Sequence, residues 1–183
     1  MTDHNRLRQL MVRVAHLERR ASLVGGLEGR DLSGRDLKGM NLSKANLTGA
    51  DLTGASLTGA SLKGANLKGA NLEWANLEGA SLEGADLSKA ILTGANLSKA
   101  ILTGAILEMA DLTDADLTWA DLKGADLKFA QMLRANLFKA NLKSAFLAWA
   151  NLTQANLLGA AYDDSTTLTP SLTPSQLASM SKV

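Results

Sequence analysis

The chain has 183 residues, a formal net charge of +1 and no cysteine, which fits one domain without disulfides or thiolate metal sites. The near-zero charge gives no argument for binding nucleic acid or a membrane through the chain as a whole. No apolar run approaches the roughly 18 residues of a membrane-spanning helix, and arginines interrupt the N-terminus where a signal peptide needs an apolar stretch. We therefore expect a cytoplasmic protein.

Residues 1–24 are predicted to form a helix that caps the following domain. Its apolar positions recur at helical spacing, with arginines and a glutamate between them: Leu7, Leu10, Val14, Leu17 and Ala21. Asp3 is a candidate N-cap. The same positions fit a short heptad, so the helix is alternatively a dimerisation element. A membrane-surface helix is least favoured, because no large aromatic residue would anchor it.

A five-residue repeat occupies most of the chain. From Leu27 to Leu157 every fifth residue is leucine in 26 of 27 positions, the exception being Met132. From Ala45 to Ala160 every fifth residue is alanine in all 24 positions. The residue between alanine and leucine is mostly Asp, Asn or Ser. The repeated unit is therefore Ala-(Asp/Asn)-Leu-x-x.

The spacing of this repeat excludes both a regular helix and a straight strand. Helical residues advance by about 100° each, so leucines five apart define no face. Side chains alternate along a strand, so leucines five apart would fall on opposite faces. We therefore predict three-residue strands, with alanine and leucine inward, joined by two-residue corners. The last corner position is glycine in 14 of 27 units, which is typical of a turn that needs positive φ.

The repeated unit resembles the A(D/N)LXX motif of the pentapeptide repeat proteins, and the resemblance covers residues 25–164. It implies an all-β solenoid, a right-handed quadrilateral β-helix with four units per coil. Residues 25–164 then make about seven coils, and the rod is roughly 33 Å tall at about 4.8 Å per coil. The expected organisation is a capping helix at 1–24, the β-helix at 25–164 and a C-terminal cap or tail at 165–183.

Both ends of the repeat depart from its pattern. In the first coil, the inward position that later holds alanine is occupied by Gly25, Arg30, Arg35 and Met40. Such side chains are tolerable in an end coil, or they contact a cap. At the other end Tyr162 replaces leucine, and the register is then lost. The segment TPSQLASM predicts a short helix over the last coil, with Thr173 as its N-cap and Pro174 at its first position.

The register of 20 residues per coil groups the large apolar side chains of the C-terminal half into two candidate interaction patches. The first consists of Ile106, Met109, Phe129, Phe146 and Trp149. The second patch, on the opposite side, consists of Trp119, Phe138 and Leu158. A contiguous exposed apolar patch usually marks a partner surface. The alternative is that these side chains pack over the turns and cover backbone. Trp74 lies apart from both patches.

The corner residues also change along the chain. From Met109 onward only Gly124 and Gly159 keep the turn glycine, whereas twelve earlier units have it. We therefore predict type II turns in the N-terminal coils and a different turn class in the C-terminal coils, which positive φ at Lys139 or Trp149 would contradict. The outward Asp and Asn side chains are predicted to bond to nearby backbone groups and to one another along the stack.

These features favour a non-enzymatic structural or protein-interaction module. The sequence has no Ser-His-Asp arrangement, metal cluster or phosphate-binding glycine loop, and its glycines are explained by turns. The leucine interior leaves no room for a pocket. We expect no cofactor, no nucleic acid, no membrane and no small-molecule substrate. The expected partner is another protein or a second copy of the chain.

The alternative function comes from the family resemblance, because some pentapeptide repeat proteins mimic DNA and modulate a type II topoisomerase, gyrase. Duplex DNA carries one negative charge per about 1.7 Å, so a mimic needs a strongly acidic surface. Residues 25–164 contain 16 Asp and Glu against 13 Lys and Arg. This near-neutral balance disfavours DNA mimicry.

Overall fold

The backbone is a four-sided coil with 20 residues in each turn of the coil. The computed structural model describes residues 26–183, and the predicted helix of residues 1–24 lies outside the described residues. Parallel bridges join each outward residue to the residue 20 positions later, from Asp31 with Asp51 to Asn141 with Ala161. Each five-residue unit contributes one bridge and one tight turn, so four units complete a coil.

The unit containing Asp51 illustrates how sequence becomes structure. The Asp51 N–H donates to the Arg30 carbonyl of the coil before it at 2.9 Å, and the Leu52 N–H donates to the Asn71 carbonyl of the coil after it at 2.6 Å. The Ala55 N–H closes the corner by donating to the Leu52 carbonyl at 2.9 Å. The backbone is therefore hydrogen-bonded within the corner and to both neighbouring coils.

The core consists of the alanines and leucines of the repeat. Every repeat alanine from Ala45 to Ala160 is buried, and every repeat leucine from Leu32 to Leu157 is buried with it. Met132, the one substitute for leucine, is 0 % exposed, so it occupies the same interior column. Burial of each leucine contributes about 1.5–3 kcal/mol.

The first described coil is more open than those that follow. Arg30 is exposed, while Arg35 and Met40 are half-buried. Leu27 and Met40 pack against the edge of the core. The long side chains at these inward positions therefore lie where the stack begins.

The outward Asp and Asn side chains bond as the sequence predicts. The Thr53 N–H donates to Asp51 Oδ1 at 3.0 Å, and many other units repeat this bond between residues two apart. Along the stack, Asn141 Nδ2 donates to Asp121 Oδ1 at 2.8 Å. A short polar side chain thus supports its own corner and also contacts the next coil.

The predicted change of turn class is wrong. At the last corner position φ is 60–71° at 14 glycines and 54–62° at 13 other residues, including 54° at Lys139 and 62° at Trp149. The physical reason is the stack itself. At Trp119, for example, the N–H donates to the Phe138 carbonyl of the next coil at 3.0 Å. From Gly29 to Lys139 every corner residue makes this inter-coil bond in the left-handed conformation, whichever side chain is present.

The C-terminal segment continues the stack in a modified form. Strand β1 (Ala161–Tyr162) pairs in parallel with β2 (Ser181–Lys182). On the adjoining side Phe146 bridges Thr167, so one additional residue has entered the register. The sequence predicts a departure from the register after Tyr162, but not that it is a single inserted residue.

In chain order, helix α1 (Pro174–Ser179) follows β1 and precedes β2. Its N-cap is Thr173, as predicted. Its capping box joins Thr173 and Gln176. Gln176 Nε2 also donates to the Leu152 carbonyl at 2.7 Å. It also donates to the Ala155 carbonyl at 3.3 Å. Elsewhere in the stack the alanine carbonyl accepts from the following coil, as Ala135 does from Asn156, so the helix supplies a donor where the regular coils end.

Candidate interaction surfaces

The 20-residue register brings the residues of the first candidate patch together on one side of the rod and at its next corner. Ile106 and Phe146 both bridge Asp126, from opposite directions along the stack. Met109, Phe129 and Trp149 occupy the following corner in three successive coils. We call the five residues Ile106, Met109, Phe129, Phe146 and Trp149 the apolar face.

All five side chains of the apolar face are exposed. Phe129 is 45 % exposed and Trp149 is 66 % exposed. The interior of the rod is already filled by alanine and leucine, so these side chains have no core to enter. A contiguous apolar surface of this kind on a folded chain is characteristic of a partner-binding surface.

Three of these residues also adopt a backbone conformation that their side chains disfavour. φ is 58° at Met109, 58° at Phe129 and 62° at Trp149. For a bulky residue positive φ is an outlier, and such conformations cost about 1–3 kcal/mol and cluster at functional sites. Glycine at these corners would fit the same turn without this strain, as it does in the N-terminal coils.

The apolar face contains one ion pair at its centre. Lys128 Nζ lies 2.9 Å from Asp126 Oδ2. The hydrogen bond that Lys128 donates to Asp126, and the charge of Asp126, raise the pKa of Lys128 above its ordinary value. Glu108, one coil earlier in the same corner column, adds a second carboxylate, so the middle of the face contains two carboxylates and one ammonium group.

The second patch is organised differently, because its rings contact groups of the same chain. Trp119 and Phe138 form an edge-to-face pair with centroids 6.2 Å apart. Lys139 Nζ lies 4.5 Å from the centroid of the Trp119 ring and 5.3 Å from that of Phe138. Leu158 is exposed beside them. Two of its three apolar side chains therefore have intramolecular partners.

Trp74 is exposed, but its ring also lies against the neighbouring corner. A Cβ added at Gly94 would lie 2.2 Å from the ring atom Cζ3 of Trp74. Trp74 Nε1 donates to Glu73 Oε1 at 3.1 Å. This tryptophan covers the Gly94 corner of its own chain, which fits packing over a turn.

Within the repeat, two exposed apolar residues were missed by the sequence interpretation. Ile91 and Ile101 are exposed and lie in the same coil as Ile106, each on a different side. The available signal was their position, since each isoleucine replaces the outward Asp, Asn or Ser of the repeat. They are distributed around the rod and do not extend the apolar face.

An ion pair links two coils at the corner beyond the apolar face. Arg134 Nε donates to Asp114 Oδ1 at 2.6 Å, and the hydrogen bonds from this guanidinium hold the pKa of Asp114 below its ordinary value. Within residues 26–183, no group of three or more His, Asp or Glu side chains is arranged to hold a metal ion. Over the same residues, no helix is both long enough and apolar enough to cross a membrane.

Comparisons with known proteins agree with the repeat. The family "Pentapeptide repeats" matches in eight copies, within residues 31–128 and 130–161. HetL from the cyanobacterium Nostoc sp. strain PCC 7120, a pentapeptide repeat protein involved in heterocyst differentiation regulation, is 35% identical, with 77% of this chain and 76% of HetL covered and a TM-score of 0.33. No curated protein sequence gives a significant match.

Two other solved structures are also similar. A pentapeptide repeat protein of the Arabidopsis thaliana thylakoid lumen is 32% identical, with 63% of this chain and 74% of that chain covered and a TM-score of 0.30. QnrB1, a plasmid-mediated fluoroquinolone resistance protein, is 20% identical, with 84% and 79% covered and a TM-score of 0.45. At this identity the likeness to QnrB1 concerns the fold alone.

Proposed function

Since the chain belongs to the pentapeptide repeat family, whose members fold as right-handed quadrilateral β-helices, we propose that it is a non-enzymatic scaffold that binds a protein through its apolar face. In this proposal a cytoplasmic rod of about seven coils, closed at its C-terminal end by α1, holds the apolar face rigid. Solenoids commonly act in this way, because their repeated surface is extended and regular.

The observation that carries the proposal is the coincidence of exposure and backbone strain on the apolar face. Phe129 and Trp149 gain no core burial, and their positive φ values would suit glycine better. Folding therefore gains little from these side chains at these corners. A bound protein would bury the side chains of Phe129 and Trp149, and this burial would offset the cost of their backbone conformation.

The apolar face is favoured over the second patch as the binding surface. In the second patch, Trp119 is already engaged by Phe138 and by the ammonium group of Lys139. A partner docking there would have to displace or cover this lysine. Within residues 26–183, the rings of Phe129 and Trp149 have no comparable aromatic or cation–π contact, so their surfaces are free for a partner.

Modulation of gyrase by DNA mimicry is not favoured. The charged groups around the apolar face are Glu108, Asp126 and Lys128, a net of one negative charge. The whole chain is near neutral, with 19 Lys and Arg against 18 Asp and Glu. A mimic of duplex DNA requires a dense negative surface.

The test is a double substitution, Phe129→Glu with Trp149→Glu, in the full-length chain. Sedimentation measures self-association, and pull-down from an extract of the source organism measures capture of another protein. We expect the variant to lose whichever association the wild type shows, because two charges would then have to be desolvated in the interface. The matched control is Trp74→Glu with Trp119→Glu, which should retain it. Unchanged sedimentation together with an unchanged set of captured proteins would refute the proposal.

A further inference from the structure

The apolar face lies between two flanks of opposite charge. The corner that precedes its side comprises residues 103–104, 123–124 and 143–144, and its own charged residues are Lys123 and Lys143. Two carboxylates contact this corner, since Asp121 accepts from Thr103 and Asp163 accepts from Ser144. The side that follows the Met109 corner carries Asp111, and its outward positions in the next two coils are Gln131 and Asn151. The face between the flanks carries Glu108 and Asp126 against Lys128. A partner with the same pair of flanks in the opposite order would therefore complement it.

Two copies of the chain can pack face to face about a two-fold axis in two ways. Only one of these arrangements presents the flanks in the required order. If the rods are antiparallel, the two-fold axis runs across them, and the lysine flank of each copy lies beside the lysine flank of the other. If the rods are parallel, the axis runs along them, and the lysine flank of each copy lies beside the Asp111 flank of the other. Opposite charges meet only in the parallel arrangement.

The heights of the charged residues along the rod fit the parallel arrangement. Lys123 and Asp111 are separated by 12 residues of a 20-residue coil, which is about 3 Å along the rod at a coil spacing of about 4.8 Å. A two-fold axis along the rod leaves heights unchanged, so Lys123 of one copy is nearly level with Asp111 of the other. The same axis places Phe129 against its own copy and Trp149 against its own copy, in the aromatic pairing that interfaces favour.

We infer that the apolar face is an isologous homodimer interface in which two parallel rods are related by a two-fold axis along their length. The inference rests on the proposed function and identifies its partner as a second copy of this chain. Met109, Phe129 and Trp149 form the centre of the interface, and Lys123 pairs with Asp111 across its rim. Such an interface closes on itself, so it gives a dimer and not a filament.

The first test removes the central side chains without disturbing the fold. Phe129→Gly with Trp149→Gly places at both corners the residue that the N-terminal coils use at the same φ. In sedimentation equilibrium the wild type should have the mass of two chains, and the variant should dissociate at least about 100-fold more readily. The control, Trp74→Gly with Trp119→Gly, should stay dimeric. A monomeric wild type, or equal weakening by the control, would overturn the inference.

The second test measures the orientation of the two rods. The chain has no cysteine, so Lys68→Cys introduces a unique site for a nitroxide label, at the corner of the apolar face three coils below Lys128. In parallel rods the two labels are level and separated only across the interface, on the order of 10 Å between backbones. In antiparallel rods centred on Phe129 they are about 29 Å apart along the rod. An electron paramagnetic resonance distance near 30 Å would contradict the parallel arrangement.

The third test exchanges the rim charges. Lys123→Glu alone and Asp111→Lys alone should each weaken the dimer about threefold to tenfold, since each change places like charges together at two symmetry-related positions. The double variant restores opposite charges and should regain most of the wild-type affinity. Additive weakening in the double variant would show that Lys123 and Asp111 do not face each other.

The outcomes separate this inference from the proposed function on which it rests. If the wild type is monomeric but captures another protein that the Phe129→Gly and Trp149→Gly variant does not capture, the homodimer is wrong and the proposed function stands. If the wild type neither dimerises nor captures a protein through this face, both are wrong.

Discussion

The N-terminal and C-terminal halves of the rod have the same backbone but different corner residues. Before Met109 the last corner position is glycine in twelve units, and from Met109 onward it is glycine only at Gly124 and Gly159. φ nevertheless stays between 54° and 71° throughout the 27 corners. The comparison shows that the inward alanines and leucines, with the bonds between coils, determine the fold. The corner side chain is free to vary at a modest energetic cost.

Departure from glycine is not by itself a sign of function. Lys89, Lys99 and Lys139 also have positive φ, but their exposed ends are ammonium groups and not apolar surface; that of Lys99 pairs with Glu78, and that of Lys139 lies over the Trp119 ring. The apolar face differs because bulk, apolar character and exposure coincide at Met109, Phe129 and Trp149. This combination, and not strain alone, distinguishes a candidate binding surface from a tolerated substitution.

The largest effect is expected in the core, and it tests whether the cores of the two halves are packed equally tightly. Leu67 and Leu127 occupy the same side of the rod three coils apart, and both are 0 % exposed. Leu67→Ala and Leu127→Ala should each lower the free energy of unfolding by about 2–5 kcal/mol, through lost burial and the cavity left behind. Chemical denaturation monitored by circular dichroism measures both. If Leu127→Ala cost much less than Leu67→Ala, the core of the C-terminal half would be less tightly packed and the comparison would fail.

The fold could be predicted from the sequence because a five-residue period is compatible with neither helix nor strand. The inward leucines, the outward Asp and Asn and the helix after Thr173 all followed from local patterns. The turns of the C-terminal half were wrongly predicted, because the argument used the preference of each residue and ignored the bond to the next coil. At Lys139 that bond joins its N–H to the Leu158 carbonyl at 3.0 Å, a contact between residues 19 apart.

The candidate surfaces were only partly accessible to sequence reasoning. The register of 20 residues grouped the apolar side chains correctly in space. It did not reveal that Lys139 lies over the ring of Trp119, because the direction of a long side chain depends on its rotamer. It also gave no reason to prefer the apolar face to the second patch, since that preference comes from intramolecular contacts.

The next effect concerns Trp74, which is the only aromatic residue at the last corner positions from Gly29 to Gly104. Gly94→Ala should lower stability by about 1–3 kcal/mol, because it combines positive φ with displacement of the Trp74 ring. Gly104→Ala is the matched control, since φ is 63° there and an added Cβ meets nothing within 4 Å. Gly104→Ala should lower stability only by the cost of holding alanine at positive φ. In a Trp74→Gly background the two alanine variants should become equal, and a persisting difference in denaturation midpoint would contradict the role of the ring.

A smaller effect tests directly whether a glycine corner and a non-glycine corner are equivalent. Gly69 and Lys89 are stacked neighbours in one corner column, with φ values of 65° and 59°. Gly69→Lys should destabilise by about 1 kcal/mol, and Lys89→Gly should stabilise by a similar or smaller amount. Exchanging both residues should be close to neutral in thermal denaturation. If Gly69→Lys stabilised the fold and Lys89→Gly destabilised it, the corner conformation would be set by its own side chain and not by the stack.

The smallest expected effect is the pH dependence of the stability that the Asp114–Arg134 pair contributes. In the N-terminal coils the same corner column contains Gly34 and Gly54. Arg134 holds the pKa of Asp114 below its ordinary value of 3.8 in the folded chain. A lowered folded pKa means that the pair stabilises the fold above that ordinary value, and that this contribution is lost as the pH falls through the folded pKa.

The stability difference between wild type and Arg134→Gln should therefore be present at neutral pH and should diminish once the solution is acidic enough to protonate Asp114. The control is the same substitution in an Asp114→Asn background, where no carboxyl remains to titrate and the difference should not change with pH. Denaturation curves recorded across the acidic range measure both differences. A wild-type difference that stays constant down to the pH at which the carboxyl is protonated would mean that Arg134 stabilises its corner through the packing of its stem and not through its charge.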